Sequence, residues 1–412
     1  MELRKRQTSI IEKLLLLAVL VYYVLIDAIG IFVGREGSRL GGAILAGQIF
    51  IILFFFCLKT GGFITIKFSL FHGYLLIFIT YCFVNCFWAI YKSAALARSV
   101  SLAETAILMF LLYLVFDRDK DAVDHLLTII MIGGFLQAVL FIFAYGWSQI
   151  IFSMRNADRI SSDIINANTL GMAAAYSCVI FAHRIMEHKT QFWQIILAAL
   201  SLVILSASQS RKALLLLILG VTAIFIINNS HEKKALKRIG RVILLAFLTG
   251  GILYVMSFTG FLSGITTRMQ GLLNALTGVG VIDKSTIMRG TLRDFGIQLF
   301  KDHPIGGVGI DCARFFTIGL FDYGYHTHNN YVELLADGGI LGLVAYYWLY
   351  LHMLIQMLKH RDFSDPEFNI CLIILILRLI MDYGFYSFKE KSTYLFLLLI
   401  YLSYRKTLSK PY

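Results

Sequence analysis

The sequence predicts an all-α, polytopic integral membrane protein of about 12 transmembrane helices, with one long external loop that contains short amphipathic helices. Three observations lead there. Of 412 residues, 58% are hydrophobic and only 15% are charged, whereas soluble domains carry about a quarter charged residues; the mean hydropathy is +0.75. Apolar runs near 20 residues recur along the whole length, and that is the length a helix needs to cross the hydrocarbon core. The only 3 prolines, Pro304, Pro366 and Pro411, all fall outside these runs. In a chain this apolar, the net charge of +12 reads as loop lysines and arginines that orient helices, not as a surface for nucleic acid.

The expected spans are roughly 11–33, 41–58, 71–91, 98–116, 124–147, 168–184, 190–208, 211–228, 242–260, 330–357, 367–387 and 392–404. The first is too long for a signal peptide and lacks a small-residue cleavage site, so it is expected to stay as a helix. An even number of spans puts both termini on one side. With the N-terminus inside, the inner segments hold 20 basic residues and the short outer loops 10, which favours both termini in the cytoplasm. Cys57, Cys82, Cys86, Cys178 and Cys371 fall in spans and Cys312 alone in an extramembrane loop. That pattern excludes a disulfide framework, and the Cys82/Cys86 spacing excludes a cysteine zinc site.

The organisation that follows is 1–260 for the first nine helices, 261–329 for the external loop, and 330–412 for the last three. A connection as long as that loop is normally functional. Within it, 286–300 places Ile287, Leu292, Phe295, Leu299 and Phe300 at helical spacing, with Arg289 and Arg293 on one face. This predicts an amphipathic helix lying on the outer membrane surface. His303-Pro304 ends it, and Ile305-Gly306-Gly307-Val308-Gly309 follows.

Candidate chemistry gathers on the outer face. Arg211 sits in Ser208-Gln209-Ser210-Arg211, a tight turn between two spans; it reads either as a headgroup anchor or as a guanidinium fork held rigidly for a phosphate. Arg289 carries the same pair of readings, with Arg293 as a neighbour. His328 opens an apolar helix at the membrane surface, where a neutral imidazole is matched to activating a sugar hydroxyl. A metal site with His326 would need a third ligand, and Asp322 and Glu333 are the local candidates; none is assigned. Arg378 and Asp382 are spaced i, i+4 and expected to neutralise each other. Glu104 reads as a buried carboxyl near the outer side or a site residue. Asn166 and Asn168 read first as caps of the next helix.

Together these residues resemble the O-antigen ligase and O-antigen polymerase superfamily of bacterial membrane glycosyltransferases. The resemblance rests on His328-Asn329, nine residues and then Gly339-x-x-Gly342, and on the preceding Asp302-His303-Pro304-Ile305-Gly306-Gly307-Val308-Gly309. The turn arginine Arg211, the loop arginine Arg289 and Asn166-x-Asn168 match in order and spacing. Specific motifs cover about 160–345 and the rest matches only in hydropathy. The resemblance implies a multi-pass protein of the bacterial cytoplasmic (inner) membrane. It would transfer a glycan from undecaprenyl diphosphate to an acceptor hydroxyl on the outer face. It implies His328 acting on that hydroxyl and Arg211 and Arg289 binding the donor diphosphate; Arg293, His326, Asn329, Asn168 and Glu104 are candidate supporting positions read from the sequence. Two arginines on a good leaving group can replace a metal ion, so no cofactor is expected. Partners would be the lipid-linked donor, a glycan or lipid A–core acceptor, membrane lipids and a chain-length regulator. Polymerase is the favoured reading and ligase the alternative. A flippase for the same lipid-linked sugars is more distant, because it would need a polar path through the bundle.

Overall fold

A computed structural model describes residues 2–33, 38–62, 68–156, 167–229, 274, 277, 284–360 and 363–408. Among them every regular element is helical, and five helices are long and apolar enough to cross a membrane: Gly42–Thr60, Lys92–Phe116, Ala122–Tyr145, Ala167–Met186 and Asn330–Lys359. The apolar helices Leu70–Asn85 and Phe192–Ser208 are shorter than that threshold. The expected span at 242–260 and Asn166 lie outside the described residues. The chain packs as two units, residues 1–63, 123–281 and 362–373, and residues 64–122, 282–361 and 374–412.

The first unit contains α1 (Glu2–Val33), α2 (Ser38–Thr60), α5 (Ala122–Tyr145), α6 (Trp147–Asn156), α7 (Ala167–Met186), α8 (Phe192–Ser208) and α9 (Arg211–Asn229). Small residues let its backbones approach, as membrane interfaces require. A Cβ at Gly134 would stand 2.0 Å from the Ser177 hydroxyl, and one at Gly133 2.3 Å from the Tyr23 ring. Gln137 donates to the Tyr23 carbonyl at 2.8 Å, so even a buried amide is spent on holding α5 to α1. α7 packs on both α8 and α9. The expected span 124–147 divides at Gly146, whose φ is +76°; the ten residues of α6 that follow were not anticipated.

The second unit contains α3 (Leu70–Asn85), α4 (Lys92–Phe116), α10 (Lys284–Asp302), α11 (Ile318–Phe321), α12 (Asn330–Lys359), the later part of α13 (Pro366–Asp382) and α14 (Lys391–Leu408). α3 ends six residues before the span expected there, and Asn85 explains why. Its side chain, fully buried, donates to the Gly306 carbonyl at 2.7 Å and accepts from the Ile310 amide at 2.6 Å. Trp88 Nε1 donates to the same carbonyl at 3.1 Å, and the Ile90 amide to Val308 at 3.0 Å. The chain therefore leaves the helix to close over the glycine-rich loop.

That loop is bound on its other side by a break in α12. Gly339 has φ 60° and ψ −163°, a region of backbone space that is essentially glycine's alone. The break frees two carbonyls and two amides of the helix, and the loop takes them up. Val308 and Gly309 donate to the carbonyls of Ala336 and Asp337, both at 2.9 Å. Ile340 and Leu341 donate to Pro304 and Ile305 at 2.9 and 3.3 Å. The Gly-x-x-Gly run and the earlier glycine-rich run are thus two halves of one clasp. A Cβ at Gly339 would stand 2.3 Å from the Ile305 carbonyl oxygen, and one at Gly307 2.4 Å from the Asp337 backbone. Gly339→Ala is expected to lower stability by about 3 kcal/mol or more, from backbone strain plus that collision. Thermal unfolding of the detergent-solubilised protein checks it, with Gly290→Ala as comparison, since a Cβ at Gly290 meets nothing within 4 Å.

Candidate active site

His328, Thr327 and His326 precede α12 as irregular chain. Asn329 caps the helix: its side-chain oxygen accepts from the amides of Tyr331 at 3.0 Å and Val332 at 3.1 Å. The asparagine of the His-Asn pair therefore has a helix-starting role. Next to it, half-buried His328 is held at φ +55°, a left-handed conformation uncommon outside glycine. Its ring centroid lies 5.8 Å from that of Tyr386, and the His326 ring lies 4.5 Å from the same tyrosine.

Beneath them is a charged cluster. Glu333, fully buried one turn into α12, uses both oxygens. Oε2 accepts from the Thr327 amide at 2.7 Å and the Thr327 hydroxyl at 2.8 Å. Oε1 lies 2.7 Å from His326 Nδ1 and 3.3 Å from Lys389 Nζ. Lys389 also donates to Asp311 at 2.5 Å and lies 3.9 Å from Asp337. Asp337 accepts from the amides of Asp311 at 2.9 Å and Ala313 at 2.8 Å. Arg314 and Arg98 reach Asp311 at 3.2 and 3.4 Å. Three cations thus share one cluster with three acidic side chains, and buried charge is tolerated only when partnered in this way. Burial pushes the Asp311 carboxyl up, but Lys389, Arg98 and Arg314 outweigh it and hold its pKa below the ordinary value. Burial and the Lys389 ammonium hold the His326 imidazole below its usual pKa, against the pull of Glu333.

The sequence treated Lys389 and Arg98 as loop charges that orient helices. Lys389 is instead a buried hub, and Arg98 lies within α4, two turns from its start. Cys312, expected in an extramembrane loop, is fully buried, and burial pushes its thiol pKa up to about 11. It is therefore no probe of which side the loop faces. Glu104 was expected near the outer end of its span. Because α4 begins at Lys92, Glu104 lies about 18 Å along the helix and is half-buried. In α13, Asp382 accepts from Tyr347 at 2.6 Å and Asn330 at 3.5 Å, while Arg378 donates to Thr393.

α10 was expected to rest on the membrane. Its Leu292, Gly296 and Leu299 are buried against protein, while Ile287 is 56% exposed. Gly296 is the contact point: a Cβ there would stand 2.7 Å from Val332 and 2.8 Å from Thr327. The helix carrying Arg293 and Arg289 is thereby seated on the residue between the two histidines, with the arginines one and two turns away. Arg293 pairs with Asp294 at 3.2 Å, which raises its pKa.

The remaining sequence candidates belong to the first unit. Arg211 is the first residue of α9, after a turn of two residues in which Gln209 has φ +48°. Ser208, Gln209 and Ser210 are all buried; Gln209 donates to the Ser153 carbonyl at 3.0 Å, and the Ser210 hydroxyl to Asn168 at 3.0 Å. Asn168 thus steadies the turn that carries Arg211. A cation at a helix N-terminus works against the helix dipole, yet guanidinium and helix end together suit an anion.

Residues 196–347 match the family model described as O-antigen ligase. Over that segment the chain is similar to the O-antigen ligase/polymerase superfamily. No curated protein matches the chain. The O-antigen ligase segment holds Arg211, Arg289, Arg293, the clasp loop and the run from His326 through Gly342. Asn168, Glu104, Arg98 and Lys389 fall outside it.

Proposed function

We propose that this enzyme transfers an oligosaccharide from undecaprenyl diphosphate to an acceptor hydroxyl at the outer face of the bacterial cytoplasmic membrane. The single observation that carries the reading is that one matched segment contains Arg211, Arg289 and the whole His328–Gly342 run. Arg211 and Arg289 hold the donor diphosphate and stabilise the charge that develops as it leaves. His328 takes the proton of the acceptor hydroxyl. The hydroxyl oxygen attacks the anomeric carbon opposite the diphosphate, the glycosidic bond forms, and undecaprenyl diphosphate departs. The reaction needs no metal ion and inverts the anomeric configuration.

The acceptor is a second lipid-linked repeat unit, which makes the chain a polymerase, with a chain-length regulator as partner. The ligase reading has one observation in its favour, the description of the matched family; its acceptor is lipid A–core. Supplying each acceptor to purified enzyme separates the two: ladders on lipid-linked units alone mean polymerase, transfer to lipid A–core alone means ligase.

Arg289→Ala and Arg211→Ala are expected to abolish transfer, and Arg211→Lys to restore little of it, because a point charge cannot reproduce a bidentate fork. Donor affinity and turnover should fall together. Near-normal turnover in Arg211→Lys would reduce that arginine to a membrane anchor.

A further inference from the structure

Glu333 stands in the first turn of α12, fully buried. Taking a carboxylate fully out of water costs several kcal/mol even with a partner, and a single ion pair with Lys389 would satisfy only one of its oxygens. The other oxygen is given to the amide and hydroxyl of Thr327, at 2.7 and 2.8 Å. Thr327 lies between His326 and His328, and its hydroxyl oxygen also lies 3.0 Å from the Asn329 carbonyl. Fixing Thr327 therefore fixes the direction in which both histidines leave the chain, including the left-handed turn at His328.

The proton arrangement on His326 follows from two distances. Nδ1 lies 2.7 Å from Glu333 Oε1 and 3.1 Å from Lys389 Nζ. A bare ring nitrogen 2.7 Å from a carboxylate oxygen would set lone pair against lone pair, so the proton sits on Nδ1 and is donated to Glu333. Lys389 directs its own protons to Asp311 and Glu333. Nε2 then carries the free lone pair. The His326 side chain keeps 17% exposure, and Nε2 is not among the buried polar atoms that lack a partner, so its open edge is the Nε2 edge. The charged and titratable groups facing the ring are Glu333 from α12, Lys389 and Tyr386 from the α13–α14 loop, and Asp311 from the clasp loop.

We propose that Glu333 is a positioning residue for the glycosyl acceptor: one oxygen pins Thr327 and thereby His328, the other holds His326 so that its Nε2 accepts a hydrogen bond from a hydroxyl of the acceptor sugar. This rests on the reading of His328 as base and adds a second imidazole with a defined tautomer. Its substrate chemistry is a neutral sugar hydroxyl, because a bare Nε2 accepts a proton donor and gives nothing to an anion.

Two measurements on the full-length protein in detergent test it. Long-range proton–nitrogen correlation spectra of protein labelled with [15N]histidine, assigned with His326→Gln, read the tautomer without any substrate. His326 is expected as Nδ1–H with bare Nε2, titrating below the ordinary imidazole range, and lower still in Glu333→Gln, since loss of the anion makes protonation harder. A proton on Nε2 would overturn the proposal. Transfer by Glu333→Gln, assayed with purified lipid-linked repeat units, is expected to lose about 10²-fold in kcat from misplacement of the acceptor, with KM for the donor little changed. Wild-type kcat in the folded Glu333→Gln protein would overturn it too, leaving Glu333 a structural ion-pair partner. His328→Ala in parallel keeps the two readings apart: full activity there removes the base, whatever Glu333→Gln does.

Discussion

Replacing Lys389 with methionine is expected to destabilise the second unit by about 3–5 kcal/mol, the range found when one partner of a buried ion pair is removed. Among the described residues the ammonium is the one cation within reach of Asp311, Glu333 and Asp337 together, at 2.5, 3.3 and 3.9 Å. Arg98 and Arg314 still reach Asp311, but Glu333 and Asp337 would stay buried with amides, a hydroxyl and a neutral imidazole as company. A drop in melting temperature in detergent measures the effect. Removing a carboxylate as well, in Lys389→Met with Glu333→Gln, should recover part of it, because one uncompensated charge is gone. The same cluster gives an acid dependence. The pKa of Asp311 is depressed in the folded state, so its contribution is present above the ordinary carboxylate value and lost as pH falls through the depressed one. His326, also depressed, adds stability above its ordinary value that is lost as pH falls below it. Lys389→Met should therefore flatten the loss of stability between neutral and acid pH. An unchanged melting temperature would mean that water reaches the cluster and screens it.

His328→Ala is the second large effect. Loss of a general base lowers rate by about 10²–10⁴. The variant should lose nearly all transfer yet bind undecaprenyl diphosphate normally, because the arginines are untouched. The truncation removes only a half-buried ring, and an alanine meets the same left-handed backbone, so the fold should survive. Donor binding by calorimetry beside turnover on lipid-linked units makes the split visible; parallel loss of both would turn His328 into a donor-binding residue.

Much of the architecture was legible because the pattern that signals a spanning helix is local. A run such as 124–145 carries its own evidence, and the turn at Ser208–Ser210 is marked by three small polar residues between apolar ones. The His-Asn spacing was legible for a different reason: Asn329 caps the helix and Gly339 breaks it, so both are fixed by backbone geometry that shows up as residue type. The charged cluster was not legible. Lys389 and Glu333 are 56 residues apart and Lys389 and Asp311 78, and in sequence each looks like a loop charge or a helix-end acid. Only folding shows that Lys389 is buried. Asn85 was equally hidden, because a single amide in an apolar run gives no sign that it will receive a loop from 225 residues away. The amphipathic stripe of α10 was read correctly as a stripe, but a stripe does not say whether lipid or protein covers it.

Transfer by direct displacement from a lipid diphosphate is the claim on which the site assignments depend. Purified full-length enzyme should be incubated with lipid-linked repeat units in excess chelator, and the new glycosidic linkage read by nuclear magnetic resonance. Inverted anomeric configuration, with release of undecaprenyl diphosphate and undiminished rate in chelator, is the expected result. Retained configuration, or activity that disappears with the metal, would contradict a metal-free single displacement based on His328, Arg211 and Arg289.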